Sequence, residues 1–162
     1  MCYNGVMRIL GIDPGMAIVG YALVNYENNV YTLEGSGSIQ TDKNKSTSAR
    51  LLEVYNDMCT IVEKFKPDYA SIENLYFFKN QKTIIPVAES RGVILTVLEK
   101  YGIPIYEYTP IEVKQVLTGY GRASKKEVEQ MVKYTLNSEN LPKLDDTVDA
   151  VAIAICHARN VF

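Results

Sequence analysis

Four carboxylates stand where their type and spacing suit phosphoryl chemistry: Asp13, Glu73, Asp146 and Asp149. Asp13 closes an apolar run, Arg8–Asp13, just before the turn formers Pro14 and Gly15. Glu73 closes a second short apolar run, Asp68–Glu73, in the same way. If both runs are strands, both acids sit at strand ends, where open α/β sheets gather their ligands. Two positions before each acid, on the same face of its strand, the residue is small: Gly11 and Ser71. Small residues there leave room for a helix to approach the sheet beneath the acids.

The closing helix, read from near Asp145 to about Asn160, has the matching composition. Ala150, Ala152, Ala154 and Ala158 make it slim. Asp146 and Asp149 are three apart and share a face of its first turn, and the stripe continues as Ile153 and Cys156. Asp145 and Asp149, four apart, would share a face as well, so spacing alone leaves Asp145 and Asp146 as alternatives. A helix N-terminus favours the ionised form by something like 0.3–1 kcal/mol per acid. Ionised carboxylates brought together repel unless a cation neutralises them, and oxygen-only donors suit magnesium or manganese better than zinc. Two such cations can activate water on one side of a phosphodiester and stabilise the leaving oxygen on the other, with no histidine, serine or cysteine nucleophile. Taken singly, an Asp before Pro-Gly is a turn former and an Asp pair at a helix start serves the helix. Jointly, with small residues beneath, they read as a metal site within reach of phosphoryl chemistry.

The elements that must position these acids follow from pattern. Arg8–Asp13, Ile18–Tyr26 and Asn29–Ile39 are apolar runs separated by turn residues, a meander of strands. After the polar stretch Thr41–Ser48, Leu51, Tyr55, Met58, Val62 and Phe65 recur at helical spacing. A second helix is expected over Thr83–Tyr101 with Gly102 as its C-cap, and a fifth strand over Ile103–Tyr108. Thr109-Pro110-Ile111-Glu112 and Ser124-Lys125-Lys126-Glu127 are capping boxes that open two further helices. Three strands followed by alternating helices and strands predict one α/β domain with a mixed five-stranded sheet and helices on both faces. Residues 7–162 form that domain, and the first six, ahead of a second methionine, read as a disordered leader or an earlier start.

Composition sets limits. The 162 residues are 47% hydrophobic and 22% charged, ordinary for a globular chain whose core needs no disulfides. Cys2, Cys59 and Cys156 are scattered and odd in number, as unpaired thiols of a reducing cytosol are. No apolar run has the length of a membrane span. The formal net charge of −2 argues against nucleic-acid binding by bulk electrostatics, while leaving room for a local basic groove around an acidic centre.

The ordered set of segments carries more. Residues 8–15 (Arg-Ile-Leu-Gly-Ile-Asp-Pro-Gly), 71–76 (Ser-Ile-Glu-Asn-Leu-Tyr), 113–115 (Val-Lys-Gln) with Gly119-Tyr120-Gly121, and 146–157 (Asp-Thr-Val-Asp-Ala-Val-Ala-Ile-Ala-Ile-Cys-His) closely resemble, in that order and spacing, the RuvC-type Holliday junction resolvases. The resemblance runs from about Arg8 to Arg159. It implies a ribonuclease H-like fold, a homodimer, and a structure-selective DNA endonuclease of recombination and repair that nicks opposing strands of a four-way junction symmetrically. It also implies two Mg2+ ions per active site, with Mn2+ tolerated, a cytoplasmic location and a branch-migration helicase complex as partner. Asp13, Glu73, Asp146 and Asp149 fall on the family's acidic positions, and this register selects Asp146 over Asp145. Lys114 and Lys125 match basic positions used on DNA. Tyr76 falls where the family has an aromatic that wedges at the junction centre, and Arg91-Gly92 on a helix of the dimer interface. Arg122, with Lys79, Lys82 and Lys126, is near enough in sequence to complete a basic groove, and the single histidine, His157, reads as a helix-end residue and not a base. Gly-Ile-Asp-x-Gly after a strand also resembles the phosphate loop of actin-like ATPases, but those need two such domains and this chain has room for one.

Overall fold

A computed structural model describes residues 5–74, 81–141 and 145–161, with the backbone alone for 81–83. Three strands come first: β1 (Met7–Asp13), β2 (Ile18–Glu27) and β3 (Val30–Gln40). Asn28 and Asn29 turn β2 into β3 with φ of 50° and 65°. That left-handed pair matches the twist of a tight hairpin, and asparagine tolerates it. After α1 (Thr47–Phe65), β4 (Tyr69–Glu73) pairs with the free side of β1. Then follow α2 (Gln81–Lys100), β5 (Ile105–Tyr108), α3 (Pro110–Thr118), α4 (Lys125–Leu136) and α5 (Asp145–Val161).

The sheet has five strands in the order β3-β2-β1-β4-β5. β1, β2 and β3 pair antiparallel, whereas β4 runs parallel to β1 and β5 parallel to β4. This is the mixed sheet that the pattern of elements predicts. Both capping boxes form: Thr109 and Ser124 each accept from the backbone of Glu112 and Glu127, whose carboxylates return to the cap backbone.

Each strand feeds two cores. On one face Leu10, Ile12, Leu23 and Ile72 pack with Val54, Met58 and Val62 of α1 and Ile94 and Leu98 of α2. Of the expected α1 stripe Met58, Val62 and Phe65 are buried and Leu51 and Tyr55 half-buried, while Val54 and Ile61 join the buried face. On the other face Met7, Ile9, Ala22 and Val24 pack with α5 and, beyond it, Val113, Leu117, Val128 and Val132 of α3 and α4. From Thr147 to Ala158 every α5 residue except Asp149 is buried. A helix apolar all round belongs inside a molecule, and α5 lies between the sheet and the α3–α4 pair. Asp13 and Glu73 extend from the strand face that α5 covers, in line with Gly11 and Ser71.

Candidate active site

Three glycine and serine positions let α5 descend onto the sheet. A Cβ on Gly11 would lie 2.0 Å from the Ala150 carbonyl oxygen and 2.9 Å from the Ala154 Cβ. Ser71 donates from its hydroxyl to the Ile153 carbonyl at 3.3 Å. A Cβ on Gly20 would lie 2.0 Å from the Asp146 carbonyl oxygen. Gly20 is the antiparallel partner of Asp13, so one β2 glycine both faces the first acid and seats the backbone of the third. Sequence reading recognised Gly11 and Ser71 but missed Gly20. The available signal was a glycine inside a strand, two positions before Ala22, which marks a close backbone approach.

The acids lie near enough to bear on one another's ionisation. Asp13 is pushed up to about 8, first by burial and then by the charges of Glu73, Asp149 and Asp146, with Lys125 opposing. Glu73 is pushed up to about 6, by burial and then by Asp149, again with Lys125 opposing. Burial also raises Asp149, against the hydrogen bond and charge of Lys125. The Lys125 ammonium donates to Asp149 Oδ2 at 3.0 Å and lies 3.4 Å from Asp145 Oδ2. Burial works against the Lys125 charge, but the Asp149 hydrogen bond and the charges of Asp149 and Asp145 hold its pKa above the ordinary value.

The other expected residues divide. A cleft of about 190 Å³ has Glu73, Asp149, Lys114 and Lys125 in its walls, so both matched lysines share a cleft with two of the acids, and Lys125 pairs with one of them. A second hollow of about 530 Å³ lies on the far side of Lys125 and Asp149 and includes Asp145, Lys126 and Lys133. Arg122 is exposed on the α3–α4 connection and lines neither. Tyr76 and Lys79, and the side chain of Lys82, lie outside the described residues. Asp145, 82% exposed at its side chain, points to Lys125 instead of joining the buried acids.

As they stand, the described His, Cys, Asp and Glu side chains form no ready-made cage of three or more ligands for one ion. Burial and like charge raise Asp13, Glu73 and Asp149, and Lys125 is the counter-charge paired with Asp149. The donor set nonetheless fits a hard divalent cation. It is all oxygen, and its strain is the kind a cation relieves.

His157 lies near the end of α5, as expected, and is fully buried there. Its ring centroid is 4.2 Å from that of Tyr106 and 5.6 Å from that of Tyr69, and its Nδ1 is 2.8 Å from the Tyr108 hydroxyl. Burial lowers its pKa to about 4. The neutral ring is therefore favoured by folding. Its contribution is complete above the ordinary pKa of 6.5 and is lost as pH falls toward 4. Between pH 7 and pH 4.5, urea denaturation is expected to show wild type losing about 2 kcal/mol relative to His157→Phe. The comparison matters, because the raised acids Asp13 and Glu73 work in the opposite direction over that range. Parallel pH profiles for the two proteins would refute the assignment.

Residues 9–157 match the family model described as crossover junction endodeoxyribonuclease RuvC. The chain belongs to the RuvC family. Curated RuvC relatives bearing the same description are 49% identical in Ruminiclostridium cellulolyticum and 48% in Halothermothrix orenii, each match covering 95% of this chain and 93% of the relative. Among solved structures, Thermus thermophilus RuvC in complex with Holliday junction substrate superposes with a TM-score of 0.90 at 28% identity, over 95% of this chain and 94% of that one. These structural neighbours establish the ribonuclease H-like fold. Membership makes the chain an endodeoxyribonuclease, and among the described residues no helix is long and apolar enough to cross a membrane.

Proposed function

We propose that this chain resolves four-way DNA junctions by paired symmetric nicks, with Asp13, Glu73, Asp146 and Asp149 as the ligands of two Mg2+ ions and Mn2+ as a substitute. The observation that supports it best is the convergence on Asp13 of the charges of Glu73, Asp149 and Asp146, carried by β4 and α5. Cations held there would supply an activated water and stabilise the leaving 3′-oxygen. The chain's own residues do the rest. Asp13 and Glu73 hold the strand-end side of the site, and Asp146 and Asp149 the helix side, within a single turn of α5. Lys125, paired to Asp149, and Lys114 beside it line the cleft through which a phosphate approaches. Their positive charge offsets a chain that is acidic overall. Tyr76 would wedge at the junction centre, and Arg122 would contact DNA farther along the α3–α4 side.

Residues 7–162 act in this reading as a single nuclease domain, in the cytoplasm, as a homodimer working with a branch-migration helicase complex. A two-fold dimer with two sites matches a junction with two equivalent strands. A labelled synthetic four-way junction and a matched linear duplex, each with magnesium and then with chelator, provide the test. Symmetric, magnesium-dependent nicks in the junction alone are expected. Equal cutting of the duplex, or cutting in chelator, would overturn the proposal.

A further inference from the structure

Arg91 lies on α2, outside the set of acids, yet its guanidinium reaches the end of β4. Its Nε donates to the Glu73 carbonyl oxygen at 3.3 Å, and its Nη2 forms a 2.7 Å ion pair with Glu107 Oε2 on β5. The Arg91 side chain is 15% exposed, so the fork is held within the fold. Glu73 is the last residue of β4, and Asn74 N–H donates to the Tyr108 carbonyl at 2.8 Å. The peptide plane that follows Glu73 is thus gripped at both ends, its oxygen by Arg91 and its N–H by Tyr108. A gripped plane fixes ψ of Glu73, and backbone dihedrals restrict which side-chain rotamers are open.

We propose that Arg91 is a positioning residue for Glu73: from α2 it locks the Glu73–Asn74 peptide plane and so aims the Glu73 carboxylate at the other acids. The proposal rests on the reading of Glu73 as a metal ligand. Arg91 works through the backbone, whereas the charges that act on the Glu73 carboxylate are those of Asp149 and Lys125. The two contacts need a planar fork that reaches a carbonyl and a carboxylate together. Lysine keeps the charge but has a single donor centre.

The test uses the full-length protein with Arg91→Lys, Arg91→Met, Glu107→Gln and Glu73→Gln. Three quantities are read: the single-turnover cleavage rate of a bound four-way junction, the junction Kd in chelator, and Mn2+ affinity by electron paramagnetic resonance titration of the protein alone. Both Arg91 variants are expected to lose about 10- to 100-fold in rate and about 10-fold in Mn2+ affinity, the scale of removing a group that orients a ligand. Junction Kd is expected to stay within about twofold, since the fork faces the protein. Full rescue by lysine, a wild-type rate, or a rate loss matched by weaker junction binding would each overturn the role. Should Arg91→Met melt well below wild type, Glu107→Gln carries the test, because it loosens the fork and leaves the packing. Unchanged rate and Mn2+ affinity in that variant would overturn the proposal. If Glu73→Gln itself keeps wild-type rate and Mn2+ affinity, the ligand assignment fails. If Glu73→Gln is inactive while the Arg91 variants match wild type, the positioning role alone fails.

Discussion

Asp13→Asn is expected to abolish junction cleavage and, without divalent cation, to make the protein more stable. The rate loss should be on the order of a thousandfold or more, the scale of removing a group aimed at charge developing in the transition state. Stability follows from the sign of the shift. Asp13 is pushed up to about 8 from an ordinary 3.8, first by burial and then by its acidic neighbours. For a carboxyl raised by folding, its contribution to stability is full below about pH 4 and is lost as pH rises toward 8. At pH 8 the folded, metal-free chain therefore holds an unfavourable charge that asparagine removes. After allowance for relaxation and for Lys125 nearby, the gain is about 1–3 kcal/mol, which for a chain of this size raises Tm by roughly 3 °C or more. Magnesium should reverse the order, because it stabilises only the protein that binds it. Melting curves at pH 8, in chelator and in magnesium, check this. A variant that melts lower in chelator would sink the idea that these acids are held together under repulsion, and one that still cleaves would remove Asp13 from the catalytic set.

Gly20→Ala is expected to cost both fold and activity, although Gly20 carries no chemistry. The added Cβ would meet the Asp146 carbonyl oxygen at 2.0 Å and its carbon at 2.4 Å. Those are helix backbone atoms, so the start of α5 must lift from β2. Forcing one carbon into a packed contact costs about 1–3 kcal/mol. The lift carries Asp146 and Asp149 with it, away from Asp13. Displacement of about an ångström at a catalytic constellation costs about a hundredfold in rate. Urea titration and single-turnover cleavage measure the two losses, and a variant with wild-type rate would show that α5 does not need its close seat.

These two positions differ in how far the chain itself disclosed them. Asp13 and Glu73 were legible because strand ends, turn residues and the small residue two places earlier are local signals. The capping boxes at Thr109 and Ser124 and the alanines of α5 were legible for the same reason. Asp146 was separable from Asp145 only by resemblance. The structure separates them physically, since the Asp146 backbone rests on Gly20 while Asp145 reaches outward to Lys125. Arg91, read on family likeness as part of a dimer helix, makes intramolecular contacts at the strand end. His157, read as a helix-end residue, is fully buried among tyrosines.

The strand-end places of Asp13 and Glu73 and the acidic start of α5 were legible in the sequence, along with most elements that carry them. Periodicity, turn chemistry and capping depend on neighbours within a few residues, so a single chain displays them. The tertiary structure decided how those acids meet: Gly20 beneath Asp146, Lys125 against Asp149, and Arg91 on the peptide after Glu73. Each of these contacts joins residues far apart in the chain. Strand register and the distance of helix from sheet bring them together, and neither quantity has a local period to read.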